Sequence, residues 1–149
     1  METKTTSVLN ELIEINNDRI AGFEKAIADI NDENIDLKEI FQRYAAQSRE
    51  NSQELSALVG AEDNDVETGT SMAGSLHRAW IDVKSIFGGS TRESILSEAE
   101  RGEDAIKKAY RDALEDPELS AQAREIVSRQ QSGVNAAHDE VKALRDAAK

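Results

Sequence analysis

The chain has 149 residues, 30 acidic against 18 basic, and a net charge of −12. Such a field repels phosphate backbones and anionic head groups, so neither nucleic acid nor a membrane surface is an expected partner. It has no cysteine, which excludes disulfides and thiol catalysis, and a single proline, a profile suited to long solvated helices in one domain over 1–149.

The opening Met-Glu-Thr-Lys-Thr-Thr-Ser lacks the basic start and apolar middle of a secretory signal. No apolar run approaches the roughly 18–20 residues of a membrane span. A soluble, cytoplasmic protein is expected. The first helix is predicted over about 6–30, where Leu9, Ile13, Asn16, Ile20, Phe23, Ile27 and Ile30 recur at steps of three and four. Thr6 or Ser7 is its expected cap. After the Asn31-Asp32-Glu33-Asn34 turn, a second helix is predicted over about 33–60, capped by Asp32 and closed by Gly60. Its stripe is Leu37, Phe41, Tyr44, Ser48, Asn51, Leu55 and Leu58. So short a link makes the two helices antiparallel neighbours.

Residues 61–71 carry no periodicity and read as a loop. A shorter amphipathic connector helix follows over about 72–87, with Met72, Leu76, Trp80, Val83 and Phe87 on one face and Gly88-Gly89 at its end. Ser90-Thr-Arg-Glu93 has capping-box spacing and opens a third helix at Thr91, over about 91–115. Its stripe is Leu96, Ala99, Glu103, Ile106, Tyr110 and Ala113. Asp116 then caps, and Pro117 takes the first position of, a fourth helix over about 117–146. That stripe is Ala123, Ile126, Gln130, Val134, Ala137, Val141 and Leu144. A connector of about thirty residues between the two hairpins suits a crossover along the bundle, in up-down-down-up order.

Several stretches together resemble a known family: Leu9-Asn-Glu-Leu-Ile-Glu14, Asp18-Arg-Ile-Ala-Gly22-Phe23, Gly74-Ser-Leu-His77-Arg78-Ala-Trp80, Glu98-Ala-Glu100-Arg101-Gly102-Glu103-Asp104 and Ala137-His138-Asp139. The resemblance is to an uncharacterised bacterial family of ferritin-like four-helix-bundle proteins, first named from a pseudomonad locus. It implies an all-α, ferritin-like fold and carries no catalytic residues with it.

Ferritin-like di-metal proteins place a Glu-x-x-His pair on each of two helices. Here Gly74 stands three residues before His77 and Asn135 three before His138, so that pair is missing. Iron or manganese is therefore kept only as the cofactor of an alternative reading, with Glu103, His138, Glu100 and Glu24 as its candidate ligands; otherwise no cofactor is expected.

Each stripe is also broken near its middle by a polar residue, and buried polar groups need partners. Counted from the turns, Asn16 lies level with Gln47 and Ser48, and Glu103 with Gln130. The structural reading is a polar layer of Asn16, Ser48, Asn51, Glu103 and Gln130 in which Glu103 bonds Gln130, and Asn16 bonds Ser48 or Asn51, setting register. In that reading Glu103→Gln should be tolerated. The sharper reading makes Glu103 a desolvated general base or metal ligand. His77, Arg78 and Trp80 form the expected anchor of the connector. A phosphotransfer histidine is not supported, since neither His77 nor His138 starts a His-x-x-Lys-Gly stretch.

The favoured reading is a non-catalytic bundle acting through protein association, as a homo-oligomer or with a protein partner, in a stress-related or accessory role. The alternative is a divergent metal-binding bundle with a remodelled site.

Overall fold

The computed structural model describes residues 4–30, 32–61 and 91–148. Among these residues lie four α-helices and no strand: α1 (Lys4–Asp29), α2 (Ile35–Ala61), α3 (Arg92–Glu115) and α4 (Ala121–Ala147), with a 3-10 turn at Asp32–Asn34 before α2. The connector helix predicted over 72–87, with His77, Arg78 and Trp80, lies outside the described residues.

Each helix buries a stripe of strictly alternating three- and four-residue steps. In α1 it is Leu9, Leu12, Asn16, Arg19, Phe23 and Ala26, continued by Ile30 just past the helix end; in α2 it is Leu37, Phe41, Tyr44, Ser48, Asn51 and Leu55. In α3 it is Leu96, Ala99, Glu103, Ile106, Tyr110 and Ala113; in α4 it is Ala123, Val127, Gln130, Val134, Ala137 and Val141. Such a seam, regular over the full helix length, is the pattern of helices that interdigitate along one another.

Three stripes differ from expectation by one position. In α1, Arg19 and Ala26 are buried while Ile20 and Ile27 are half-buried; in α2, Val59 is buried and Leu58 half-buried; in α4, Val127 is buried and Ile126 half-buried. A three-four stripe admits two tracks offset by one residue, about 100° apart around the helix, and the more apolar track is not the one that faces inward here.

The pairing of residues gives the directions. Phe23 meets Phe41 and Tyr44, with ring centroids 5.0 and 5.5 Å away, and Asn17 accepts from Ser52 across the α1–α2 hairpin. Between α1 and α3 with the turn that follows it, Thr5 is bonded to Glu118, Asn16 to Tyr110 and Arg19 to Glu103. Partner numbers fall as α1 numbers rise, so α1 and α3 are antiparallel. The same holds for α2 and α4, where Tyr44 reaches Glu140 and Glu54 reaches Gln130.

The helix ends show which capping expectations hold. Thr91, expected as the first residue of α3, is instead its cap, the side chain accepting from the Ser94 amide at 3.2 Å. The fourth helix does not begin at Pro117. Asp116 ends α3 and its carboxylate accepts from the Glu118 amide at 2.9 Å, while Ser120 caps α4 by accepting from the Ala123 amide at 3.2 Å. Leu119 is buried in the intervening turn, so burying that side chain outweighs a proline-started helix. At the other end α1 begins at Lys4, so the expected caps Thr6 and Ser7 lie inside it, as does Thr5. Its hydroxyl donates to the Glu118 carbonyl at 3.1 Å and accepts from the Ser120 amide at 3.0 Å. No helix of the described residues is long and apolar enough to cross a membrane.

Candidate functional site

The bundle interior carries polar side chains at two adjacent levels, and the upper one is built on Arg19. Its side chain and that of Glu103 are both fully buried. The Arg19 Nε donates to Glu103 Oε1 at 2.8 Å and Nη2 donates to Oε2 at 2.7 Å, a two-point contact that occupies both carboxylate oxygens. The third nitrogen, Nη1, donates to Gln47 Oε1 at 2.6 Å and Ser48 Oγ at 3.0 Å, with the Tyr44 carbonyl at 3.4 Å. The guanidinium also lies 5.5 Å from the ring centroids of Phe23 and Tyr44, where the ring faces favour a cation. Gly133 of α4 leaves room for this arrangement, since a Cβ there would come within 2.8 Å of Gln47 Nε2.

The second level is a ring of hydrogen bonds. Asn16 Nδ2 donates to the Tyr110 hydroxyl at 2.9 Å and to the Leu12 carbonyl at 2.8 Å. The Tyr110 hydroxyl donates to Gln130 Oε1 at 2.7 Å, and Gln130 Nε2 donates to Glu54 at 2.7 Å, with the Asn51 carbonyl at 3.4 Å. Asn51 Nδ2 closes the ring on Asn16 Oδ1 at 3.4 Å. Glu54 carries the chain to the surface, where Arg129 pairs with it.

The two tyrosines meet these levels differently, and both phenols are held above their ordinary range. For Tyr110 the cause is complete burial. For Tyr44 it is burial first and then the hydrogen bond its hydroxyl makes to the Glu140 carboxylate.

Glu103 therefore does not bond Gln130, as the register count implied. The α1–α3 packing turns it toward Arg19, and Gln130 is taken by Tyr110 and Glu54. Ser48 likewise accepts from Arg19, while the expected bond between Asn16 and Asn51 is present at 3.4 Å, with Asn16 also reaching Tyr110. Residue counting within each hairpin could not reveal contacts made between hairpins. Arg19, Tyr110 and Glu54 are the polar members the sequence did not disclose, while Gln47 was placed level with Asn16 but not joined to Arg19. One signal for Arg19 was present: steps of three and four run from Leu9 through Leu12 and Asn16 to Arg19 and Phe23.

The candidate metal ligands separate. Glu103 belongs to Arg19, and exposed Glu24 pairs with Arg49. Glu100 and His138 stay together at the α3–α4 edge, joined by Asp104, one helical turn from Glu100. His138 Nε2 lies 2.5 Å from Asp104 Oδ1 and Nδ1 lies 3.3 Å from Asp139 Oδ1. Glu100 Oε2 lies 2.5 Å from Arg145 Nη1.

A comparison with family profiles matches residues 4–116 to one described as "Domain of unknown function (DUF2383)". That span covers α1 to α3, and with them Asn16, Arg19, Glu103 and Tyr110. A comparison with curated proteins found no match.

Proposed function

The chain belongs to the DUF2383 family, a domain of unknown function, and from that premise we propose that it is a non-catalytic ferritin-like bundle acting through protein association. The antiparallel pairings of α1 with α3 and of α2 with α4 support the up-down-down-up order of that fold. The observation that carries the non-catalytic reading is the Arg19–Glu103 pair. A base or metal ligand must face the group it acts on, whereas the central carboxylate is fully buried and turns both oxygens to a guanidinium.

A di-metal centre of the ferritin type does not fit this interior. Such a centre gathers carboxylates and imidazoles around two cations, whereas Glu103 here faces a fixed side-chain cation and no Glu-x-x-His pair stands on any helix. With the interior saturated by its own side chains, recognition falls to the outer helix faces, and self-association in the cytoplasm in a stress-related or accessory role is the reading we adopt. Two measurements test it. Light scattering of the full chain should give a mass above that of one chain. Anaerobic Fe(II) titration followed by air should show no oxidase turnover. A monomer at all concentrations would remove homo-association; two Fe(II) per chain with turnover would overturn the non-catalytic reading.

The second reading, a metal-binding bundle with a remodelled site, has one observation in its favour: the gathering of Glu100, Asp104 and His138 away from the bundle centre.

A further inference from the structure

We propose that the α3–α4 edge holds a single divalent transition-metal ion of the Zn(II) type between Glu100, Asp104 and His138. One potential ligand atom from each residue lies within 4.8 Å of the others. Glu100 and Asp104 share a face of α3 because they stand four residues apart, and His138 meets them from α4. Imidazole with carboxylates is a donor set for borderline divalent ions, and three protein ligands leave the fourth tetrahedral position to water.

The histidine is the best-placed member. His138 is 8% exposed, so its ring is held by packing rather than swinging in solvent. A metal-bound imidazole turns one nitrogen to the ion and gives its other N–H to a carboxylate. Asp139 lies 3.3 Å from Nδ1 and serves as that second partner, which leaves Nε2 for the ion. Nε2 already points at Asp104 Oδ1, 2.5 Å away. A metal between them needs bonds of about 2.0–2.2 Å, so Asp104 must swing outward to admit it. Its side chain is 62% exposed and has the room.

Charge favours the ion as well. Three carboxylates, Glu100, Asp104 and Asp139, surround this point, and the cation facing them from α4 is Arg145, 2.5 Å from Glu100 Oε2. Even with His138 protonated the cluster carries excess negative charge, which a divalent ion balances. Arg145 competes with that ion for Glu100. The site rests on the second, metal-binding reading, and since none of its three ligands belongs to the interior levels around Arg19 and Tyr110, it stands or falls apart from the non-catalytic one.

Calorimetric titration of the full chain with Zn(II) alone, repeated in a tenfold excess of Mg(II), tests the proposal. One equivalent should bind in both conditions, because Mg(II) prefers an all-oxygen shell. Affinity should fall at least about tenfold in His138→Ala and in Asp104→Asn, the second being an exposed position whose change leaves the core alone. It should rise in Arg145→Gln, which frees Glu100, and stay unchanged in Asp112→Asn, an exposed acid elsewhere on α3. Absence of saturable Zn(II) binding, equal binding in Asp104→Asn, displacement by Mg(II), or an equal loss in Asp112→Asn would each overturn it. The last two would mark general attraction to an acidic surface.

Discussion

Arg19 and Glu103 stand 84 positions apart and meet in a two-point ion pair with neither side chain exposed. The pair joins α1 of one hairpin to α3 of the other. Burying two charges costs several kcal/mol for each ion, so such a pair is a poor source of net stability. Breaking it is another matter, because the survivor is left charged, buried and unpaired.

That asymmetry makes a sharp test. Arg19→Met and Glu103→Gln should each destabilise by about 3–5 kcal/mol in urea unfolding. Glu103→Gln is not the mild change that a Glu103–Gln130 bond would allow, since Arg19 keeps its charge. The double variant Arg19→Met with Glu103→Leu should recover most of the loss. Losses that simply add would show that the two side chains are not coupled.

Tyr110 links three of the four described helices through one hydroxyl. Tyr110→Phe should cost about 1–3 kcal/mol, because Asn16 loses an acceptor and Gln130 a donor inside the bundle. Adding Gln130→Leu to Tyr110→Phe should cost less than Gln130→Leu alone, since the glutamine oxygen is then already without its donor. A Tyr110→Phe variant as stable as wild type would remove the hydroxyl from the network.

Alkaline pH provides a third check. Tyr44 and Tyr110 are the two tyrosines of the chain, and both phenols are raised in the folded state. Above about pH 10 the unfolded chain loses phenol protons that the folded chain retains. Stability is therefore full below that pH and falls above it, by up to about 1.4 kcal/mol per pH unit for each tyrosine. Absorbance at the phenolate band should stay flat until the helical signal collapses, and then rise for both residues together. Phenolate appearing near pH 10 with the helices intact would contradict the buried placement.

The start of α4 separates two caps. Ser120→Ala should destabilise by about 1 kcal/mol, the usual cost of losing an N-cap acceptor. Asp116→Ala should cost less, because its carboxylate serves a turn amide rather than a helix start. The reverse order in thermal melts would restore Pro117 as the first residue of the helix.

Local sequence determined the four helices, because apolar spacing of three and four residues admits no strand and the short links at 31–34 and 116–120 force antiparallel hairpins. The start of α3 was legible to within one residue: capping-box spacing pointed to a helix from Thr91, and the cap is Thr91 itself, whose hydroxyl satisfies an amide three residues on without tertiary help. The choice between Arg19 and Ile20 as the inward residue was not local. One residue turns the helix by about 100°, and which track faces in depends on what the opposite hairpin offers, here the carboxylate of Glu103. The antiparallel relation of α1 and α3, and the ring through Asn16, Tyr110 and Gln130, belong to the same class. They arise where two hairpins meet, and a buried charge or amide takes whichever partner the packing brings within about 3 Å. Periodicity states that a polar residue lies inside; only the tertiary contact states what it bonds.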